Sequence, residues 1–172
     1  MTGSLRLSSS KKGLVFPEIE NYLNDLKFTI QTKDIIRPWG GFFVIAENQA
    51  AQFTETFFPS VNFEELKATG KLSPKILVVQ PNMRLSWQYH HRRAELWRVI
   101  SGKVGVTISD TDEEDKKIEL SLGESISLKQ GQRHRLRGLD QWGVVAEIWQ
   151  HTDASNPSDE NDIIRVQDDF GR

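Results

Sequence analysis

From position 75 onward the chain is a succession of short segments in which apolar and polar residues alternate, separated by turn-forming residues. The segments 75–80, 84–90, 95–100, 103–109, 117–121, 124–128, 133–137 and 143–150 read as β-strands. The breaks are Gln80-Pro81-Asn82, Ser101-Gly102, Gly131-Gln132, Gly138 and Gly143. Many short strands at this spacing predict an all-β sandwich or barrel. Ahead of them, Ile19, Tyr22, Leu23 and Leu26 recur at helical spacing, with Pro17 suited to a first turn. A second short helix is expected over 63–69, capped by Asn62, with Glu65 three residues on and Gly70 as its stop. Residues 1–13, rich in Ser and Lys, read as a disordered tail, which leaves 14–172 as a single domain.

One strand departs from simple packing. Leu85, Trp87 and Tyr89 lie on one face; Ser86, Gln88 and His90 lie on the other, because strand side chains alternate. Glu95 follows on the next segment, and His134 stands on a later one. Two neutral nitrogens, a carboxylate and an amide oxygen form a borderline-to-hard donor set. It suits Zn, Mn, Fe, Co or Ni, with Zn first, and leaves positions free for substrate oxygens. We read the strand as the wall of a small barrel whose mouth holds one divalent metal.

Composition narrows the alternatives. The 172 residues carry a net charge of −2, so no overall basic field marks a nucleic-acid binder. No cysteine is present, which excludes disulfides, thiolate metal sites and cysteine nucleophiles, and fits a cytoplasmic setting. No apolar run is long enough to span a bilayer. The acidic stretch Asp110–Asp115 lacks the glycine of a calcium loop and reads as a solvated hairpin tip. Gly40-Gly41 reads as a turn before a strand rather than a phosphate loop. No serine sits in a nucleophile elbow.

Two stretches resemble the paired motifs of the cupins. Gln88, His90, Glu95 and Gly102 match the first half-motif, with Gln in the first His position. Gly123, Gly131 and His134 match the second, with Lys129 and Gly138 at positions where Pro and Asn are usual. Arg37-Pro-Trp-Gly40, Lys75, Arg93-Ala-Glu-Leu-Trp97 and the tail Asn161–Arg172 further resemble the C-terminal cupin domain of type II mannose-6-phosphate isomerases. The phrases around Trp87–Glu95 and Gly131–Leu136 also resemble stand-alone bacterial cupins labelled mannose-6-phosphate or phosphoheptose isomerases. The resemblance runs from Arg37 to the C-terminus, with an insertion at about 47–73. It implies a double-stranded β-helix, or jelly-roll barrel, with one or two short N-terminal helices. It also implies a metal held by Gln88, His90, Glu95 and His134. Leu96 stands where such proteins usually carry His; as its strand neighbour Glu95 faces the other way, the metal shell should be unaffected. No nucleotidyltransferase domain accompanies the cupin motifs, so no guanylyltransferase activity is expected.

The implied chemistry is aldose–ketose isomerisation of a sugar phosphate, mannose 6-phosphate to fructose 6-phosphate, through an enediolate, in polysaccharide precursor supply. Such a reaction needs a base, cations near the developing charge, and cations for the phosphate. Glu147, on the otherwise apolar run Val144–Trp149, is the first candidate base; a structural carboxylate paired to an arginine is the alternative. His91 is the second candidate, although it faces away from His90. Lys75 and Arg93 join Glu147 as catalytic candidates, and Arg137 and Arg165 are the phosphate candidates, with Arg135 also considered. Arg135 and Arg137 share a face with Arg133, opposite His134, so that row is also open to solvent or a partner. Trp39 and Trp97 could stack on a sugar ring or lie in the core. His151 receives no role. Alternative functions are a non-catalytic cupin that binds a sugar or sugar phosphate, and an Fe-dependent oxygenase. The expected assembly is a homodimer with small-molecule substrates and neither nucleic acid nor membrane as partner.

Overall fold

A computed structural model describes residues 4–172. The first helix, α1 (Lys12–Asp25), begins five residues earlier than the periodicity marks, so Pro17 lies inside it. The early turn forms because Val15 and Phe16, like Ile19 and Leu23, bury against the body. Strands β1 (Ile30–Arg37) and β2 (Gly40–Ile45) form a hairpin around Pro38-Trp39. A short 3-10 turn leads to α2 (Ala50–Phe57) and α3 (Phe63–Lys67). The cap of α3 is as expected, for the Asn62 side chain accepts from the amides of Glu64 and Glu65.

The remainder is strand: β3 (Leu72–Val79), β4 (Trp87–Tyr89), β5 (Arg93–Ser101), β6 (Val104–Ser109), β7 (Lys116–Leu120), β8 (Ser125–Leu128), β9 (Arg133–Gly138), β10 (Gly143–His151) and β11 (Ile164–Gln167). They form two antiparallel sheets, β1-β2-β3-β10-β5-β8 and β11-β4-β9-β6-β7. This is the jelly-roll barrel of the cupins. The tip between β6 and β7 is exposed, as the acidic stretch implied.

Two apolar clusters explain why β3 and β10, central in the first sheet, read as nearly continuous hydrophobic sequence: both of their faces are covered. On the outer face, Phe43, Ile76, Val78, Leu96, Val144, Ala146 and Ile148 pack with α1 and α2 residues such as Ile19, Phe53 and Phe57. On the inner face, Leu77, Val79, Trp97, Val99 and Val145 meet Val104, Val106 and Leu136 of the second sheet. Residues 47–73 are therefore a packed flank. The segment read as a disordered tail needs correction from Ser4 on. Leu5 is buried, Ser8 donates to Glu18, and Trp142 Nε1 donates to the Ser10 carbonyl at 2.8 Å. Buried Leu5, partly buried Leu7 and a tryptophan anchor offset the ordering entropy that composition alone suggested would prevail. Met1–Gly3 lie outside the described residues.

Gly102 closes the β5–β6 turn at φ +70°, and a Cβ there would lie 2.2 Å from the Trp142 carbonyl oxygen. Both the left-handed backbone and the close approach exclude a side chain. Gly102→Ala is expected to destabilise the protein by about 1–3 kcal/mol, read as a lowered denaturant midpoint at unchanged m-value.

Candidate metal centre

The inward face of the barrel changes character along its axis. On β3, Leu77 and Val79 are apolar while Lys75 is charged; on β10, Val145 gives way to Glu147. On β5 the same alternation runs from Val99 and Trp97 to Glu95 and Arg93, and on β9 from Leu136 to His134. A period of two keeps each set on one face. Antiparallel pairing then stacks the polar ends at one mouth, with Glu147 opposite Lys75 on β3 and opposite Trp97 on β5.

At that mouth His90, Glu95 and His134 bring one ligand atom each within 4.8 Å of one another, all three buried. His90 Nε2 lies 3.1 Å from Glu95 Oε1, and His134 Nε2 lies 3.3 Å from Glu95 Oε2. Each imidazole has its other nitrogen against a main-chain carbonyl: His90 Nδ1 is 2.6 Å from Asp162 O, and His134 Nδ1 is 3.0 Å from Gln132 O. A carbonyl can only accept, so both Nδ1 atoms carry the proton and both Nε2 atoms present a lone pair. Arg93 supplies donors on one side, with Nε 2.8 Å from Glu95 Oε1 and an Nη 3.2 Å from His90 Nε2. On the other side, Glu95 Oε2 and His134 Nε2 are buried with no hydrogen-bond partner. Two facing lone pairs with no proton between them are costly in a buried site and are the arrangement a cation satisfies. The residues fit a divalent metal.

Charge follows the same logic. Burial alone would raise the Glu95 carboxyl, but His90, Arg93 and His134 hold it well below the usual carboxylate range. Burial lowers His90 against the pull of Glu95, favouring the neutral imidazole that a metal requires. Glu147 behaves in the opposite way. Burial, reinforced by the negative charge of Glu95, pushes it up to about 8, although Lys75 and Arg93 oppose this. Its oxygens accept from the indole N–H groups of Trp97 at 2.7 Å and Trp149 at 2.8 Å.

Gln88 pairs across the strands with His134 and with Arg165, and lines a cavity shared with Glu95 and Glu147; its Oε1 accepts from Ser86 Oγ at 2.5 Å. Lys75, Arg93, Glu95, Glu147, Arg165, Trp39 and Trp97 also line it. Arg37 and Arg172 join them and were not selected from the sequence, although the Arg37–Gly40 phrase and the C-terminal tail were both recognised. Arg165 is held below the usual arginine range by desolvation, then by the charge of Arg172, with Asp168 opposing and Arg37 adding to the effect; Arg172 is itself paired with Asp168 at 3.0 Å and Arg37 with Asp34 at 2.7 Å. Arg137 is a correction. It faces outward on β9, with its guanidinium against Gly105, and lines a separate groove with Arg84 and Lys117. Arg135 is likewise turned outward, donating to Leu85 O and pairing with Glu114. One residue of register decides this: His134 must face inward, so its neighbours cannot. Leu96 packs in the outer apolar cluster, where its strand parity places it. His151 is buried, accepting from the Ser158 amide and lying 2.7 Å from Ser73 Oγ, and burial drops it to about 4.

The family model described as mannose-6-phosphate isomerase C-terminal matches residues 45–168. The chain belongs to that family. It is 32% identical over 118 residues to the alginate biosynthesis protein AlgA of Pseudomonas aeruginosa, covering 69% of this chain and 23% of that protein. It is 30% identical over 118 residues to a mannose-1-phosphate guanylyltransferase of Escherichia coli, with 69% and 23% coverage. This member of the mannose-6-phosphate isomerase C-terminal family thus spans about a quarter of the length of these curated relatives. Among solved structures it resembles Bacillus subtilis oxalate decarboxylase OxdC, with a TM-score of 0.53 and 16% identity over 78% of this chain and 30% of that one. That likeness establishes the cupin fold. No helix among the described residues is long and apolar enough to cross a membrane.

Proposed function

We propose that the protein is a metal-dependent sugar-phosphate isomerase of the mannose 6-phosphate/fructose 6-phosphate type. The observation that carries this reading is a cationic cavity lined by both Glu147, a carboxyl raised to about 8, and Glu95, the carboxylate that joins His90 and His134. A divalent metal, Zn first, would be held by His90, Glu95, His134 and Gln88, and would polarise the vicinal oxygens of the open-chain sugar. Glu147 takes the proton from the carbon beside the carbonyl and returns it to the former carbonyl carbon, while the hydroxyl proton moves between the two oxygens. Lys75, whose Nζ is 3.0 Å from Glu160, and Arg93 stabilise the negative charge that develops as the proton leaves. Arg165, with Arg37 and Arg172, binds the phosphate; all three guanidiniums line the cavity that Glu147 and Glu95 share.

Both Glu147 oxygens already accept indole N–H groups, and that observation favours a second reading, a sugar-phosphate binding module without turnover. The oxygenase reading gains nothing from the cationic cavity. An exposed outer strand, β1, with Ile36 at 85% exposure, supports pairing of two copies.

The test is conversion of mannose 6-phosphate in deuterium oxide with Zn, Mn, Co and Ni in turn. Fructose 6-phosphate formation with solvent deuterium at C1, together with deuterium at C2 of the recovered mannose 6-phosphate, is the expected result. Saturable binding without exchange under every metal replaces the isomerase with the binding module. Arg165→Met is expected to raise KM by about tenfold or more with a smaller change in kcat, since the phosphate is not a reacting group. Arg137→Met, on the outer face, leaves both constants unchanged.

A further inference from the structure

The connection between β10 and β11, residues 152–163, touches the functional side chains one after another. Ser158 Oγ and Asp159 O accept from Arg93 Nη1 at 2.9 and 3.1 Å, Glu160 pairs with Lys75, and Asp162 O accepts from His90 Nδ1. A carbonyl on such a connection orients an imidazole only if the carbonyl itself is held. The Asp162 carboxylate is buried and accepts from His91 N at 2.9 Å, Arg92 N at 3.0 Å and Ser158 Oγ at 2.6 Å. These amides belong to the two residues directly after His90. The connection is therefore clamped onto the turn that carries the ligand, through both oxygens of one side chain.

We propose that Asp162 is a positioning residue of the metal centre. Its carbonyl sets His90 in the tautomer that presents Nε2 to Glu95, and its carboxylate fixes that carbonyl in place. This rests on the reading of His90, Glu95 and His134 as metal ligands. A partner on the far nitrogen holds the ring's orientation and leaves the donor lone pair free; its loss commonly weakens metal binding by about 10–100-fold. Through Ser158 the same carboxylate also braces Arg93, so one side chain ties the ligand turn to the guanidinium beside Glu95.

Asp162→Ala removes all three acceptances, and Asp162→Asn keeps one oxygen. Asp153, at the start of the same connection, accepts only from Ser155 and Asn156, so Asp153→Ala loosens the connection without touching the clamp. With the full chain, Zn2+ and Mn2+ affinities are measured by chelator competition, and the His90 ring tautomer is read by 15N NMR on metal-free protein. Asp162→Ala is expected to weaken Zn2+ by about 10–100-fold and Asp162→Asn by less, while Asp153→Ala stays within about twofold. The wild-type ring carries its proton on Nδ1, and Asp162→Ala gives a tautomer mixture. If Asp162→Ala does not fold, the Asp162→Asn ring and affinity decide. Wild-type tautomer and Zn2+ affinity in the folded Asp162 variants overturn the proposal. A wild-type chain that binds neither metal overturns the metal reading instead, and the ring tautomers still test the clamp.

Discussion

Glu95→Gln is expected to weaken metal binding by on the order of a hundredfold or more and to abolish turnover, while leaving the protein folded. The carboxylate is the one group that faces both imidazoles, with Oε1 3.1 Å from His90 Nε2 and Oε2 3.3 Å from His134 Nε2. The amide keeps the size and one acceptor for Arg93 Nε, but loses the charge and turns an N–H₂ group toward an imidazole lone pair. Glu95→Ala separates the two consequences. It also strands Arg93, whose guanidinium is buried and bonded to Glu95 at 2.8 Å; removing one partner of such a pair costs about 3–5 kcal/mol. Calorimetric titration with Zn2+ and thermal unfolding of the metal-free variants check both. Wild-type affinity in Glu95→Gln would mean that the cluster is no metal centre.

Glu147→Gln has the second large effect, and it acts in opposite directions on activity and stability. In the proposed isomerisation Glu147 is the base, and its replacement is expected to cost about 10²–10⁴-fold in rate, which the amide cannot supply. In the fold its carboxyl is raised from an ordinary 4.5 to about 8, chiefly by burial. Its contribution to stability is therefore complete below the ordinary carboxylate pKa and is lost as pH rises through about 8. Over that window the wild type gives up a few kcal/mol, to order of magnitude, that the non-titrating amide retains. Denaturant unfolding of metal-free protein from pH 5 to pH 9 should show the variant gaining steadily on the wild type, then levelling off. A difference independent of pH would mean that Glu147 stays ionised and pairs with Lys75 or Arg93. In the loaded enzyme a nearby cation draws the carboxyl down, so the acid limb of kcat/KM falls below about 8.

The barrel was legible because its signal is local. Alternation on Leu85–His90 marks the strand that leads to His90 of the candidate metal cluster, and the parity of β9 that turns His134 inward also turns Arg135 and Arg137 out. The same parity, readable from sequence, opposes Arg137 as a phosphate ligand, and the structure places that side chain on the outer face. Less legible were β1, a mostly exposed strand without a buried alternating face, and α2, whose eight residues give too few turns for a clear helical stripe. Leu5 and Leu7 were lost among serines, because two apolar residues fix a segment only when a groove waits for them.

The chain by itself determined which residue types could meet: strand periodicity assigns each side chain a face, and that is enough to place His90, Glu95, His134 and Glu147 inside a barrel. The tertiary structure decided which charges actually share the cavity. Arg37 lies far along the chain from Arg165 and Arg172, yet strand pairing and the return of the C-terminal segment onto β4 bring them to the mouth beside Gln88. The apolar run Val144–Trp149 already points to a buried, raised Glu147; the tertiary structure adds the charge of Glu95 beside it. Face is a property of neighbouring residues; proximity and desolvation belong to the assembled sheets.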